Sequence, residues 1–347
     1  MIHDSLFISR CLELARKGSG NVAPNPMVGS VLVYNNKIIG EGFHHAFGES
    51  HAEVNAINQC MEKGYEYLLE KSVLYVNLEP CSHSGKTPPC TDLILKHKIP
   101  KVVIGMKDPF PEVFGKGIKK LEDAGIKVVS GILEKECREA NNRFITFHTQ
   151  KRPFIVLKFA QTADHFIAPM HTLNNKISNE FTDILVHKWR SEESAILIGT
   201  KTAAIDNPFL TVRKWKGKNP LRVVMDKNLR LPENLHLFDQ SVYTLVFNSI
   251  KNKTEKNIEF VKIDFDENVI SEILSTLHER KILSVLIEGG RNVLSQFIEK
   301  NLWDEARIIT SNKLFVNGMP SPEIHGRVIS KSNATGDTIV ILRPENR

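Results

Sequence analysis

The sequence predicts two consecutive α/β units: a three-layer α/β domain followed by a second, strand-rich one. Three observations carry this. Short apolar runs alternate with segments of helical period along the whole chain. The alternation restarts near Thr149–Pro153, which divides the chain into domains 1–149 and 150–347. At 347 residues the chain exceeds one ordinary core, and two domains of about 150–200 residues are the natural division.

The elements follow in order. Apolar Leu6, Ile8, Leu12 and Leu14 make Asp4–Lys17 an opening amphipathic helix. Gly29–His44 reads as a hairpin, SVLVY and KIIGEGF about a turn at Asn35-Asn36. A helix over His51–Glu62 precedes the strand Ser72–Pro80, which a proline ends. Cys90–Lys98 is a helix with prolines at its start. Strand KVVIGM, helix Gly117–Ala124, strand IKVVS and one helix over Glu134–His148 complete the first domain. The second reads as strand PFIVLKFA, helix Glu180–Arg190 and strands AILIG, LRVVMD, SVYTLVF and EFVKI. Helix Ile270–Glu279, strand LSVLIEGG, helix Asn292–Lys300 and strands DEARII and DTIVILR follow.

Composition narrows the function classes. A hydrophobic share of 41% and a charged share of 25% describe a globular protein, and the net charge of +6 is spread without a basic stripe. Nucleic acid is therefore not the expected partner, and a small anionic substrate suits the mild excess better. The N-terminus lacks the basic start and apolar core of a signal peptide, and no apolar run is long enough to span a membrane. Five cysteines form no disulfide framework, so a reducing, cytoplasmic setting is expected.

The chemistry concentrates in the first domain. His51-Ala52-Glu53 opens a helix, Pro80-Cys81 ends a strand, and Cys90 opens the next helix. One imidazole and two thiolates supply three tetrahedral ligands for zinc and leave a position for water, the catalytic rather than the structural arrangement. Glu53 is placed to move a proton from that water to a departing amine. A lone His-x-Glu means little, and separate cysteines are usually buried apolar thiols. The combination on these elements is what points to zinc-dependent deamination. Eight residues separate the two cysteines, so the intervening SHSGKTPP must bulge out and return, carrying His83 and Lys86. Cys11, Cys60 and Cys137 lie within helical patterns and are read as having no role.

On these residues the first half resembles the cytidine-deaminase-like superfamily. PCSHSGKTPPC, with APNPMVG and GEGFHHAFGESHAE upstream, resembles the bifunctional deaminase/reductase family of riboflavin biosynthesis, and the resemblance covers nearly the whole chain. It implies a cytidine-deaminase-like α/β/α sandwich followed by a dihydrofolate-reductase-like α/β domain. It further implies deamination of 2,5-diamino-6-(5-phosphoribosylamino)pyrimidin-4(3H)-one, then NADPH-dependent reduction of the ribosyl group. His51, Cys81 and Cys90 would bind Zn2+, Glu53 would be catalytic, and Asn25, His44, His83 and Lys86 would contact this phosphorylated pyrimidine. The resemblance also implies a homo-oligomer.

In the second half the resemblance places Lys158, Asn174, Arg190, Leu210, Arg213 and Glu288 on the substrate. Arg190 and Arg213 are the expected phosphate ligands, since a guanidinium fork can pair two oxygens. The cofactor side takes Ala160, Lys176, Thr202, Asp206 and Lys227. It also takes the stretch Gly290, Arg291, Asn292, Val293, Leu294, Ser295 and Gln296. There a strand, Gly-Gly and a helix start form a plausible anion cradle without a Gly-x-Gly-x-x-Gly spacing. Two stretches depart from the family. Thr162-Ala163-Asp164-His165 replaces a Ser-Leu-Asp-Gly-like turn, and Asn174–Ser178 lacks the expected tryptophan.

Two other readings compete. One is a zinc deaminase of another base, guanine or a tRNA adenosine, with a non-catalytic second half. The other is a zinc-stabilised binding module, which needs a fourth protein ligand such as His45 or His83.

Overall fold

In the computed structural model, which describes residues 2–82, 88–110, 113–170 and 176–345, the chain divides into two units, Met1–Lys151 and Arg152–Arg347. The first runs α1 (Ile2–Arg16), β1 (Gly29–Tyr34), β2 (Lys37–Phe43), α2 (Ala52–Glu62), β3 (Val73–Leu78) and α3 (Cys90–Lys96). It continues with β4 (Lys101–Met106), α4 (Lys116–Asp123), β5 (Lys127–Ser130), α5 (Glu134–Ala140) and α6 (Asn142–Gln150). The five strands form one sheet in the order β2-β1-β3-β4-β5. Strand β1 pairs antiparallel with both β2 and β3, while β3, β4 and β5 pair in parallel.

The β1–β2 turn uses Asn35 and Asn36, both in the left-handed region at φ 47° and 59°, the conformation of a tight hairpin turn that asparagine tolerates. Gly40 and Gly42 lie two apart on β2 and so face the same way. A Cβ on Gly42 would stand 2.5 Å from the Ala56 nitrogen, and one on Gly40 would stand 2.4 Å from the Ala56 oxygen. The two glycines therefore let α2 press directly on the strand. Ile57 and Cys60 of α2, Ile94 of α3, and Ile118 and Leu121 of α4 fill one face of the sheet. Phe7, Ile8, Cys11 and Leu12 of α1 and Cys137 of α5 fill the other. These are the three layers the sequence predicts.

One element differs from expectation. The single helix over Glu134–His148 is two helices, broken at Asn141. Its amide accepts the Met27 N–H at 2.8 Å and donates to the Met27 carbonyl at 3.0 Å. A side chain committed to distant backbone holds Asn141 at φ −109° and ψ 20°, outside the helical turn.

The second unit runs β6 (Phe154–Gln161), β7 (Phe166–Pro169), α7 (Glu180–Glu192), β8 (Ala195–Gly199), α8 (Thr200–Asp206) and β9 (Leu221–Met225). Then come β10 (Thr244–Asn248), β11 (Lys253–Glu255), β12 (Ile258–Lys262), α9 (Val269–Glu279) and β13 (Ser284–Ile287). It ends with α10 (Arg291–Glu299), β14 (Glu305–Thr310), β15 (Gly318–Pro320), β16 (Arg327–Ala334) and β17 (Asp337–Arg343). The large sheet has the order β11-β12-β10-β9-β8-β13-β6-β14-β17-β16. The strands from β12 to β14 pair in parallel, and each edge is an antiparallel addition. Strands β6, β8, β9, β10 and β13 are the near-continuous apolar runs that parallel strands covered on both faces require. Helices α9 and α10 cover one face, and Ala203 of α8 with Trp189 of α7 helps cover the other. The sequence reading misses β16, whose exposed side chains give no alternating apolar signal.

This topology locates a crevice. From β8 the chain moves on to β9, whereas from β13 it crosses β6 to reach β14. Adjacent strands whose continuations part in opposite directions open a cleft at their C-terminal ends, where α/β proteins bind ligands. Gly199 and Glu288 stand at that edge.

Candidate active site

In the first unit, three side chains from three elements meet. His51 is the residue before α2, with an extended backbone at φ −71° and ψ 164°. Its Nδ1 lies 3.6 Å from Cys81 Sγ and 3.3 Å from Cys90 Sγ. Cys81 follows β3, and Cys90 is the first residue of α3 and donates its N–H to Cys81 Sγ at 3.3 Å. The three ligand atoms lie within 4.8 Å of one another. For a tetrahedral ion with Zn–S near 2.3 Å and Zn–N near 2.0–2.1 Å, the N···S separation is about 3.6 Å, so the donor set fits zinc. Hydrogen bonds from Cys90 and His51 pull the Cys81 thiol down to about 4 against the effect of burial. Its bond to Cys81, and burial, hold the Cys90 thiol well above its ordinary value. A metal cation would take both as thiolates.

No fourth protein ligand joins this group among the described residues. His45 packs its ring on Phe43 at 4.1 Å instead. Three protein ligands with an open position is the arrangement hydrolysis needs, and His83, the other candidate for a fourth ligand, lies outside the described residues. Glu53, two residues into the same helix region, is 3% exposed. Burial, and after it the charge of Cys81, raises its carboxyl to about 7, which suits a group that both takes and gives a proton.

The site opens into a cavity of about 320 Å³ whose walls include Asn25, His44, Glu53, Asp108 and Phe110. His44 is buried, which lowers its pKa and keeps it neutral. Its Nδ1 faces the Ser50 carbonyl at 3.0 Å and must therefore carry the proton, so Nε2 accepts from Asn25 Nδ2 at 3.1 Å. That bond orients the Asn25 amide. Asn25, His44, His51, Glu53 and Cys81 are thus brought to one cavity, while His83 and Lys86 lie outside the described residues. The sequence reading misses Glu79, Asp108, Phe110, Val113 and Phe144, which also line it. The one signal for Asp108 and Phe110 was their place after strand KVVIGM, since loops at parallel strand ends build sites.

In the second unit, Lys158 of β6, Arg190 of α7 and Glu288 after β13 converge. Arg190 gives Nε and one terminal nitrogen to the two Glu288 oxygens, each at 2.8 Å, and Lys158 Nζ lies 3.7 Å from the same carboxylate. Burial alone would raise the Glu288 carboxyl, but the two cations carry it down to about 2. The fork of Arg190 expected to hold a phosphate is thus engaged with Glu288. Arg213 lies with its guanidinium 4.6 Å from the centre of the Phe209 ring, and its backbone N–H bonds His187 Nδ1 at 3.1 Å. His187 is held down to about 4 by burial and then by Arg190 and Arg213, so it is neutral and can accept. Leu210 buries its side chain in the core. Asn174 lies outside the described residues.

The residues expected on the cofactor side divide. Gly290 takes φ +32°, and a Cβ there would stand 2.8 Å from Thr202 Oγ1, so the starts of α8 and α10 meet across the crevice between β8 and β13. Asp206 ends α8, its carboxyl raised by burial. Within α10, Arg291 and Asn292 are exposed, Ser295 and Gln296 half-buried, and Val293 and Leu294 are core residues. Lys227 is exposed beyond β9, and its carbonyl accepts from Ser249. Ala160 packs beside Trp189 and Ile309. Lys176 pairs with Asp183 at 2.9 Å, as does Lys214 at 3.1 Å.

Known proteins match both units. Residues 1–106 match the cytidine and deoxycytidylate deaminase zinc-binding region, and residues 153–318 match the RibD C-terminal domain. The chain is 35% identical over 336 residues to the riboflavin biosynthesis protein RibD of Aquifex aeolicus (strain VF5), covering 95% of this chain and 92% of that protein. It is 36% identical over 332 residues to the protein of that name from Bacillus amyloliquefaciens, covering 92% and 87%. The crystal structure of a diaminohydroxyphosphoribosylaminopyrimidine deaminase/5-amino-6-(5-phosphoribosylamino)uracil reductase from Thermotoga maritima matches with a TM-score of 0.91 at 38% identity over 99% of each chain. A match through the second half sets aside a deaminase of another base with an inert partner domain. Zinc and NADPH are the cofactors of the two domains. From motif, fold and length together, the chain belongs to the RibD family of riboflavin biosynthesis, a zinc-dependent deaminase and an NADPH-dependent reductase in one polypeptide.

Proposed function

We propose that the first unit deaminates 2,5-diamino-6-(5-phosphoribosylamino)pyrimidin-4(3H)-one and that the second reduces the ribosyl group of the product. The observation that carries the first step is the convergence of His51 Nδ1, Cys81 Sγ and Cys90 Sγ beside a buried Glu53 in a cavity sized for one heterocycle. His51, Cys81 and Cys90 hold the metal. Bound zinc supplies Lewis acidity that lets water act as a nucleophile near neutral pH. Glu53 takes the proton released from that water and returns it to the departing amine, ionising and reprotonating within a buried pocket. Asn25, its amide fixed by His44, offers hydrogen bonds to the edge of the ring.

In the second unit NADPH supplies the hydride, and the chain's own groups orient and polarise. The crevice beside Gly290 and Thr202 takes the cofactor's phosphates against two helix starts. Lys158, held by Glu288, faces the ribose, and Arg213 takes the substrate phosphate. Five free cysteines support a reducing, cytoplasmic setting. The exposed edge strand β16, with Val328 and Ile329 uncovered, supports a homo-oligomer; a monomeric mass by sedimentation equilibrium counts against that.

Incubation with the diaminopyrimidine ribotide, followed by mass spectrometry, tests the sequence of steps. Without NADPH one amino group should be exchanged for oxygen, and with NADPH two hydrogens should then be gained. Glu53→Gln should retain its zinc and lose ammonia release by a factor of about 100 or more. Retained turnover in that variant would remove Glu53 as the proton carrier.

A further inference from the structure

Glu79 immediately follows β3, two residues ahead of Cys81. It is 4% exposed, and no cation pairs with it among the described residues. Four backbone N–H groups take the place of a counter-ion. Oε2 accepts from Asp108 at 3.2 Å and Gly115 at 3.0 Å, and Oε1 accepts from Gly117 at 2.9 Å and Ile118 at 3.2 Å. Its own N–H bonds the Met106 carbonyl at 3.0 Å, joining the ends of β3 and β4. A carboxylate suits this place because each oxygen can accept two donors, and because the donors at Gly117 and Ile118 belong to the start of α4.

These bonds clasp the connection from β4 to α4 at two separated points, Asp108 on one side and Gly115, Gly117 and Ile118 on the other. Asp108, Phe110 and Val113, from that connection, line the cavity together with the metal ligands. The fit is close, since a Cβ on Gly117 would stand 2.2 Å from the Pro80 carbonyl oxygen. One carboxylate therefore joins the strand end that carries Cys81 to this wall of the pocket.

We infer that Glu79 is a positioning residue of the deaminase site, holding the wall made by Asp108, Phe110 and Val113 at a fixed distance from the zinc-binding cysteines so that the heterocycle enters a preformed cavity. The inference rests on the deaminase reading of this pocket. Its saturated oxygens leave Glu79 no part in the proton transfer. An amide at this position would turn one oxygen into a donor facing donors, releasing the wall while keeping the side chain's shape.

Steady-state constants for ammonia release from the diaminopyrimidine ribotide, compared between wild type and Glu79→Gln, test this. In folded, zinc-replete protein KM should rise about tenfold, the equivalent of one lost hydrogen bond to a charged group, while kcat stays within about threefold. Zinc content and NADPH oxidation on the deaminated product should be unchanged. Gly117→Ala, whose Cβ would meet the Pro80 carbonyl oxygen at 2.2 Å and Glu79 Oε1 at 3.2 Å, displaces the same connection while keeping the carboxylate's charge; it should give the same split and carries the test if Glu79→Gln does not fold. An unchanged KM in either folded variant, or a loss confined to kcat, overturns the proposal. Absence of ammonia release from the wild type would instead overturn the deaminase reading on which it depends.

Discussion

Glu288 shows how a single buried charge is set by its neighbours. It is 8% exposed at the end of β13, where desolvation opposes ionisation, yet Arg190 and Lys158 hold it ionised with a pKa of about 2 against an ordinary 4.5. Because the folded value is the lower, this contribution to stability is complete above about pH 4.5 and is lost as the pH falls towards 2. A tenfold change in proton affinity is worth about 1.4 kcal/mol, so the loss reaches about 3 kcal/mol. The stability gap between wild type and Glu288→Gln, measured by urea unfolding from about pH 6 down to 3, should therefore narrow with acid. A gap that stays constant across that range would mean the carboxylate is not held by these cations. The same trio also joins β6, α7 and the end of β13 around the expected substrate site, so removing Glu288 releases Arg190 and Lys158 together.

At the scale of elements, the loop between α1 and β1 illustrates how packing builds a site from pieces distant in sequence. Asn25 and Met27 belong to this loop, and two asparagines from other elements hold it. Asn77 of β3 donates to the Met27 carbonyl at 3.0 Å and accepts from Gly29 at 2.8 Å, while Asn141 brackets Met27 from the break between α5 and α6. Asn141→Ala should cost about 1–3 kcal/mol in urea unfolding, because it strips partners from partly buried backbone groups. It should also raise the KM for deamination, since Asn25 is two residues away. A variant with wild-type stability and KM would show that Asn77 alone secures the loop. The helix break is legible only in retrospect: residues 134–148 carry a continuous helical pattern, and nothing local marks Asn141 as serving Met27.

For the whole molecule, the proposed sites of the two activities use separate side chains. The His51, Cys81 and Cys90 group belongs to one unit, and the Gly290 crevice with the Lys158–Glu288–Arg190 trio belongs to the other. Removing zinc with a chelator should therefore abolish ammonia release while leaving NADPH oxidation on already deaminated substrate within about twofold of the untreated enzyme. Re-addition of zinc should restore the first activity. Parallel loss of both on chelation would mean that the reductase also depends on the metal.

The sequence by itself determined the two-unit α/β organisation, because apolar period and turn chemistry are local properties. It also determined the zinc ligands and Glu53 as candidates, because their residue types, motif spacing and places at element ends are all written along the chain. Tertiary structure decided what depends on side chains meeting across the fold. It engaged the Arg190 fork with Glu288, buried Leu210, paired Lys176 with Asp183, and set Glu79 against four amides of a later stretch of chain. A charged side chain's partner lies wherever the folded backbone brings an opposite charge or a free N–H, and separations of 98 residues, as between Arg190 and Glu288, leave no mark in local pattern.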